Sequence, residues 1–200
     1  MADLTTLRRS PLAHLEQELR DATVTGARAV ALQETPFLTL LSVRVDPVAA
    51  AGARVGAALG ASLPTACGQT SSSGAHTTLW LGPDEWLVVS TADADPLIRS
   101  LLDALGGDPG SVVDVSANRT TVELSGPSAR LVLEKGCPVD LHPWSFTRGM
   151  AVATIVGPVP VLLWQVGEAS YRLLPRSSFA DYLARWLIDA MREFGGPEVT

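Results

Sequence analysis

The chain has 200 residues, of which 46% are hydrophobic and 18% charged, and its net charge is −6 at pH 7. The negative charge argues against binding of nucleic acid or of an anionic membrane surface. No stretch reaches the roughly 18 apolar residues that a membrane-spanning helix needs, and no secretion signal is visible, so we expect a cytoplasmic protein. The low share of charged residues favours a partner that covers part of the surface.

The length suits one compact domain over residues 1–200, with two similar halves at 25–115 and 116–200 as the alternative. In the first half, a short helix is predicted from Ser10, as its cap, to Arg20. Segment 67–74 reads as a polar loop. The other predicted elements are strands at 29–32, 37–45, 77–81 and 86–89, and helices at 46–60 and 95–105 that end at glycine.

The second half repeats this order of elements. Its predicted strands lie at 120–124, 151–155, 159–164 and 171–174, and its predicted helices at 128–134 and 179–194. In the terminal helix, an apolar stripe is expected to face the core; its members are Tyr182, Leu183, Trp186, Leu187 and Met191. The doubled order favours an α+β fold made of two ferredoxin-like split β-α-β units packed side by side.

Signatures of catalysis are absent from the sequence. His14, His76 and His142 have no metal-ligand spacing, so no metal site is expected. There is also no phosphate-binding loop, no dinucleotide fingerprint and no serine nucleophile elbow. We therefore expect no catalytic residue in this chain.

The densest polar cluster lies at 114–119. Within this segment, four side chains could clamp a carboxylate or a pterin-like ring, or could meet a partner: Asp114, Ser116, Asn118 and Arg119. The alternative is structural, because Asp and Asn bond their own backbone in turns and Arg can join two elements through free carbonyls. The structural role is favoured, since no second charged group follows at a readable spacing.

Two other positions also have alternative roles. Cys137 follows Lys135, a cation that would help to activate a nucleophilic thiolate, yet its apolar context favours a buried structural thiol. At the predicted hairpin tip, Glu85 and Trp86 suit an interface and a core position equally well.

Five segments together resemble one family. They are 9–12 (Arg-Ser-Pro-Leu), 79–87, 114–119, 133–143 and 176–180. Their order and spacing over nearly the whole chain resemble the gamma subunit family of heterotetrameric sarcosine oxidase. The hairpin at 79–87 and the Lys-Gly-Cys-Pro-Val-Asp-Leu run at 135–141 are the most specific of them.

The resemblance implies a complex that oxidatively demethylates sarcosine to glycine and hydrogen peroxide and passes the one-carbon unit to tetrahydrofolate. It implies alpha, beta and delta subunits as partners, with FAD, FMN, NAD and tetrahydrofolate held by the partners and none by this chain. The gamma subunit would be non-catalytic, with the fold of the folate-binding aminomethyltransferases. The alternative function is a stand-alone tetrahydrofolate-binding module or an aminomethyltransferase-like protein, with the segment 114–119 as its site.

Overall fold

The computed structural model describes residues 7–196. Within this range the chain forms ten strands and five α-helices. The strands are β1 Ala31–Glu34, β2 Thr39–Val45, β3 Thr70–Ser73, β4 His76–Gly82, β5 Glu85–Ser90, β6 Gly110–Asp114, β7 Val122–Ser125, β8 Ala151–Val156, β9 Val159–Gly167 and β10 Ser170–Pro175. The helices are α1 Glu16–Asp21, α2 Ala50–Leu59, α3 Ala94–Leu105, α4 Ala129–Glu134 and α5 Ala180–Met191.

The strands form two five-stranded antiparallel sheets. The N-terminal sheet has the order β3-β4-β5-β2-β6, and the C-terminal sheet has the order β1-β7-β10-β9-β8. Strand β1 therefore leaves its neighbours in sequence and pairs with β7, with Ala31 opposite Ser125. The expected α+β class is confirmed.

Three hydrophobic clusters define four layers. Helices α2 and α3 pack on the outer face of the N-terminal sheet, and α1, α4 and α5 pack on the outer face of the C-terminal sheet. The inner faces of the two sheets meet through a third cluster that includes Leu40, Leu79, Leu162 and Leu174. Alternation along β2 explains the layering, because Leu40 points to the sheet interface while Leu41 points to the helices.

Glycines end two helices where the sequence predicted their ends. Gly60 follows α2 with φ +78°, and Gly106 follows α3 with φ +63°, both in the left-handed conformation that closes a helix.

The start of the chain and one loop differ from the predictions. Ser10 does not cap a helix; its Oγ donates to Oε2 of Glu34 at 2.5 Å. The helical segment begins later, with a 3-10 turn at Ala13–Leu15 followed by α1. The polar segment 67–74 contributes β3, because its backbone pairs with β4 and this outweighs the weak strand propensity of serine.

Candidate functional site

The polar segment 114–119 is the connection between the two sheets. It leaves β6 of the N-terminal sheet and enters β7 of the C-terminal sheet. Oδ1 of Asp114 accepts two hydrogen bonds from Ser116, one from the backbone N–H at 2.8 Å and one from the side-chain Oγ at 2.5 Å. The same Oγ accepts the backbone N–H of Leu40 at 3.0 Å. Asp114 and Ser116 thus form one hydrogen-bonded unit that ties the connection to the start of β2.

The other two candidate residues face the end of β10. Nη1 of Arg119 donates to the carbonyl of Leu174 at 2.8 Å. The carbonyl of Asn118 accepts the backbone N–H of Ser177 at 2.8 Å, while the Asn118 side chain is exposed. All four candidate residues therefore lie on one continuous connection, with two of them bonded towards one sheet and two towards the other.

The electrostatic setting of Arg119 is unusual. Arg119 and Arg176 lie opposite each other in an isolated antiparallel bridge. Burial, and then the neighbouring charge of Arg176, lower the pKa of Arg119 below its usual value. Because a guanidinium stays protonated in proteins, the consequence is an unfavourable pair of cations rather than a neutral arginine.

Cys137 lies in the core rather than in a cleft. Its side chain is buried, its Sγ is 3.9 Å from Oγ1 of Thr154, and its backbone N–H bonds the carbonyl of Leu133 at the end of α4. Lys135 points away from it and bonds the carbonyl of Ala190 in α5. Among the described residues the thiol has Thr154 as its partner and no base beside it, and its burial closes the approach of a substrate. Cys67, by contrast, is exposed.

For Trp86, the structure selects the core position from the two alternatives that the sequence left open. Trp86 is fully buried, and its Nε1 donates to the carbonyl of Pro64 at 2.8 Å, so it is a core residue. Its neighbour Glu85 pairs with Arg44 at 2.5 Å. In α5 the apolar stripe faces the core with one exception: Tyr182 is exposed, whereas Trp186 is partly buried against the main cluster.

Two exposed aromatic residues were not identified from the sequence. Trp144 stands on the loop after α4, edge-on to His142 at a centroid distance of 5.2 Å. Phe37 was placed in a strand, but the strand starts at Thr39 and Phe37 occupies the preceding turn with φ +62°. The signal for that turn was Pro36, since proline is common in turns and cannot donate to a strand ladder.

Within residues 7–196, no group of three or more His, Cys, Asp or Glu side chains is arranged to hold a metal ion. In the same range, no helix is long and apolar enough to cross a membrane.

Comparison with known proteins gives a consistent result. The sequence profile described as sarcosine oxidase, gamma subunit family, matches residues 43–193. The sarcosine oxidase gamma subunits of Corynebacterium sp. strain U-96 and of an Arthrobacter species are 48% and 46% identical to this chain, each over 100% of this chain and 97% of theirs.

Solved structures extend the comparison to three dimensions. A chain of heterotetrameric sarcosine oxidase from Corynebacterium sp. U-96, in complex with pyrrole 2-carboxylate, is 47% identical and superposes with a TM-score of 0.93 over 97% of this chain and 100% of that one. Aminomethyltransferase T of the glycine cleavage system from Bartonella henselae is 16% identical, with a TM-score of 0.64 over 91% of this chain and 57% of that one, and shares the fold. This chain belongs to the sarcosine oxidase gamma subunit family.

Proposed function

We propose that this chain is the non-catalytic gamma subunit of a heterotetrameric sarcosine oxidase and that it contributes surface and shape rather than reacting groups. The observation that carries the proposal is the end-to-end match with a chain of such a heterotetramer. The match covers 97% of this chain and 100% of that one, so the shared fold extends through both of its sheets.

The geometry of the candidate residues supports a non-catalytic role. Asp114, Ser116 and Arg119 hydrogen bond to the backbone or to each other, and Cys137 is buried without a base. Groups engaged in this way hold the two sheets together, and binding a substrate through them would require breaking bonds that the fold uses.

For the complex, we propose alpha, beta and delta subunits as partners and the cytoplasm as its location. FAD, FMN and NAD would be held by the partner subunits, as would tetrahydrofolate as acceptor of the one-carbon unit. The reaction of the complex would be the oxidative demethylation of sarcosine to glycine and hydrogen peroxide. This chain would help to enclose the path of the one-carbon intermediate.

For the architecture, we propose that residues 39–114 form a ferredoxin-like unit. The order β4-β5-β2-β6, with α2 between β2 and β4 and α3 between β5 and β6, follows a split β-α-β repeat with β3 as an added edge strand. The second unit would combine 7–34 with 122–196, because β1 and α1 pack in the C-terminal layers. The sequence alone grouped 25–34 with the first half.

The proposal is tested by an affinity pull-down of this chain from its native host, followed by an absorption spectrum of the eluate. Three further proteins with a flavin spectrum are expected, whereas the chain purified alone should be colourless. A lone colourless chain in the pull-down would contradict the proposal.

Calorimetry with tetrahydrofolate tests the alternative, a stand-alone folate-binding module. If that alternative were correct, the wild-type chain would bind tetrahydrofolate, and Arg119→Ala would weaken binding by about 1.5–3 kcal/mol, the value of a hydrogen bond to a charged group. Under the gamma-subunit proposal, neither the wild-type chain nor the variant releases binding heat.

A further inference from the structure

The turn between β1 and β2 places an aromatic residue where the fold prefers glycine. Phe37 follows Pro36 and has φ +62°, the only positive φ of a non-glycine residue in the described range. A left-handed conformation brings the Cβ of an L-residue close to its own carbonyl, which glycine avoids. In addition, the Phe37 side chain is 51% exposed, so its ring is only partly removed from water.

Neither property of Phe37 helps the isolated chain. The ring contacts the guanidinium of Arg8, whose Cζ lies 4.6 Å from the ring centroid, and half of the residue's surface stays exposed. Backbone strain concentrates at sites of function, where the surrounding structure holds it in place. A strained and half-exposed aromatic residue therefore indicates a surface that is completed by something else.

The turn lies at the junction of the two sheets. The backbone N–H of Thr35 bonds the carbonyl of Thr121, and the N–H of Thr120 bonds the carbonyl of Pro175. These bonds bring the turn, the connection 114–119 and the start of the segment that leads into α5 to the same end of the molecule. We name this exposed end the junction surface; it comprises Arg8, Phe37, Asn118, Arg176 and Phe179.

The junction surface is basic in an acidic protein. Among residues 7–196, its two arginines, Arg8 and Arg176, form no ion pair within 4 Å, and neither does Arg119, which lies opposite Arg176. The whole chain, by contrast, carries −6. The nearby carboxylate of Glu34 is already bonded by Ser10 and by Thr120. Like charges that face each other across paired strands repel and are destabilising. An anion from outside the chain would relieve this repulsion between Arg119 and Arg176.

We propose that the junction surface docks onto a neighbouring subunit of the sarcosine oxidase complex, at a site that combines an apolar socket for Phe37 with carboxylates for Arg8 and Arg176. The inference rests on the proposed function, because it needs the complex to exist. Charge complementarity selects an acidic partner face. Aromatic residues and arginine are the residue types that carry most binding energy at protein interfaces, and the strained turn holds the Phe37 ring in place before binding.

The test uses the complete complex, assembled by co-expression of this chain with its partner subunits. Phe37→Gly removes the ring and relieves the backbone strain at the positive φ, and Arg176→Glu reverses one charge. Dissociation of the gamma subunit is followed by diluting the purified complex in a mass photometer at several salt concentrations. We expect each variant to raise the dissociation constant at least about tenfold, and Arg176→Glu to flatten its salt dependence.

The control variant is Val48→Ala. Val48 is an exposed apolar residue beyond the opposite end of β2, with 90% of its surface accessible, and its truncation should leave dissociation unchanged. Hydrogen exchange of β9 and β10 within each complex checks that the fold is intact, because a folding defect would reduce protection there.

The outcomes separate the two proposals. If the wild-type chain assembles and Phe37→Gly dissociates like wild type, the junction surface is not the docking site, while the proposed function stands. Equal weakening by Val48→Ala would also overturn the docking site. If the wild-type chain does not assemble with flavin-bearing subunits, the proposed function itself fails.

Discussion

Gly136 packs directly against the indole ring of Trp186. A β-carbon at position 136 would lie 2.7 Å from Cη2 and Cζ2 of that ring and 2.8 Å from the backbone nitrogen of Gly157. The carbonyl of Gly136 accepts the N–H of Gly157 at 3.0 Å. The preceding Lys135 bonds the carbonyl of Ala190. The Lys-Gly-Cys segment therefore joins the end of α4 to α5 and to the turn between β8 and β9.

This contact predicts that Gly136→Ala destabilises the chain. The new methyl group meets a ring and a backbone atom, and neither can retreat without disturbing the core cluster around α5. We expect a loss of about 1–3 kcal/mol in the free energy of unfolding, which is typical of overpacking. Chemical denaturation followed by tryptophan fluorescence measures this loss.

Gly195→Ala is the matched control. A β-carbon at Gly195 would have its nearest neighbour at 3.8 Å, an ordinary contact with Val24, so its effect should be near zero. Combining Gly136→Ala with Trp186→Phe should recover part of the loss, because the smaller ring vacates the contested space. Strictly additive effects of the two substitutions would show that the ring is not the source of the strain.

The two cysteines should react with thiol reagents at very different rates. Cys67 is exposed, whereas Cys137 is buried beside Thr154. We expect a water-soluble disulfide reagent to label one thiol per folded chain rapidly and the second only after unfolding. Cys67→Ser should abolish the rapid phase. Rapid labelling of Cys137 in the folded Cys67→Ser variant would revive a nucleophilic role for this residue.

Features set by neighbours in sequence were predictable. The ends of α2 and α3 followed from Gly60 and Gly106, because a left-handed residue closes a helix whatever surrounds it. The helical spacing of α5 identified Leu183 and Leu187, which are fully buried. The structural alternative for the segment 114–119 also came from local chemistry, since the Asp114–Ser116 bond spans only two residues.

Features set by residues distant in sequence were not predictable. Pairing of β1 with β7 joins positions about ninety residues apart, and no periodicity in either strand encodes its partner. Ser10 was predicted to cap a helix because its actual partner, Glu34, lies 24 residues away and nothing near Ser10 in the sequence indicates that bond. Phe37 was placed in a strand because aromatic residues favour strands; Pro36 signalled the turn, but no local pattern fixed the positive φ of Phe37.

Asp181 predicts a pH dependence at the surface. Hydrogen bonds from His14 at 2.6 Å and from Arg185 at 3.0 Å lower the pKa of this carboxyl below its usual value. A lowered pKa means that the stabilisation is present above the pKa of the unfolded chain, about 3.9, and is lost as pH falls through the lower folded value. Because the group is half exposed, the stabilisation should be below about 1 kcal/mol.

Comparing the wild type with Asp181→Asn tests this dependence. The difference in unfolding free energy should be present at pH 5, shrink towards pH 2 and fall with added salt. NMR titration of the carboxyl carbon in the folded chain checks the direction of the pKa shift. A midpoint at or above that of a model peptide would contradict the assignment.

Glu34, in β1 of the C-terminal sheet, joins the N-terminal segment to that sheet through its side chain. Its carboxylate accepts Oγ of Ser10 at 2.5 Å, Oγ1 of Thr120 at 2.6 Å and the backbone N–H of Leu12 at 3.4 Å. Glu34→Gln should cost about 1–3 kcal/mol of unfolding free energy, because an amide NH₂ then meets one of these donors and leaves it without an acceptor.

Ser10→Ala removes only one of the donors, so it should cost less than Glu34→Gln, about 1 kcal/mol. Hydrogen exchange adds a local readout: in Glu34→Gln the amides of α1 should lose protection before those of β9, since α1 depends on this link while β9 lies between two other strands of its sheet. Uniform loss of protection across both elements would mean that Glu34 acts through global stability alone. The order of loss therefore decides whether the N-terminal segment is held in place mainly by this carboxylate or by the apolar contacts of Leu15 and Leu19 with the core.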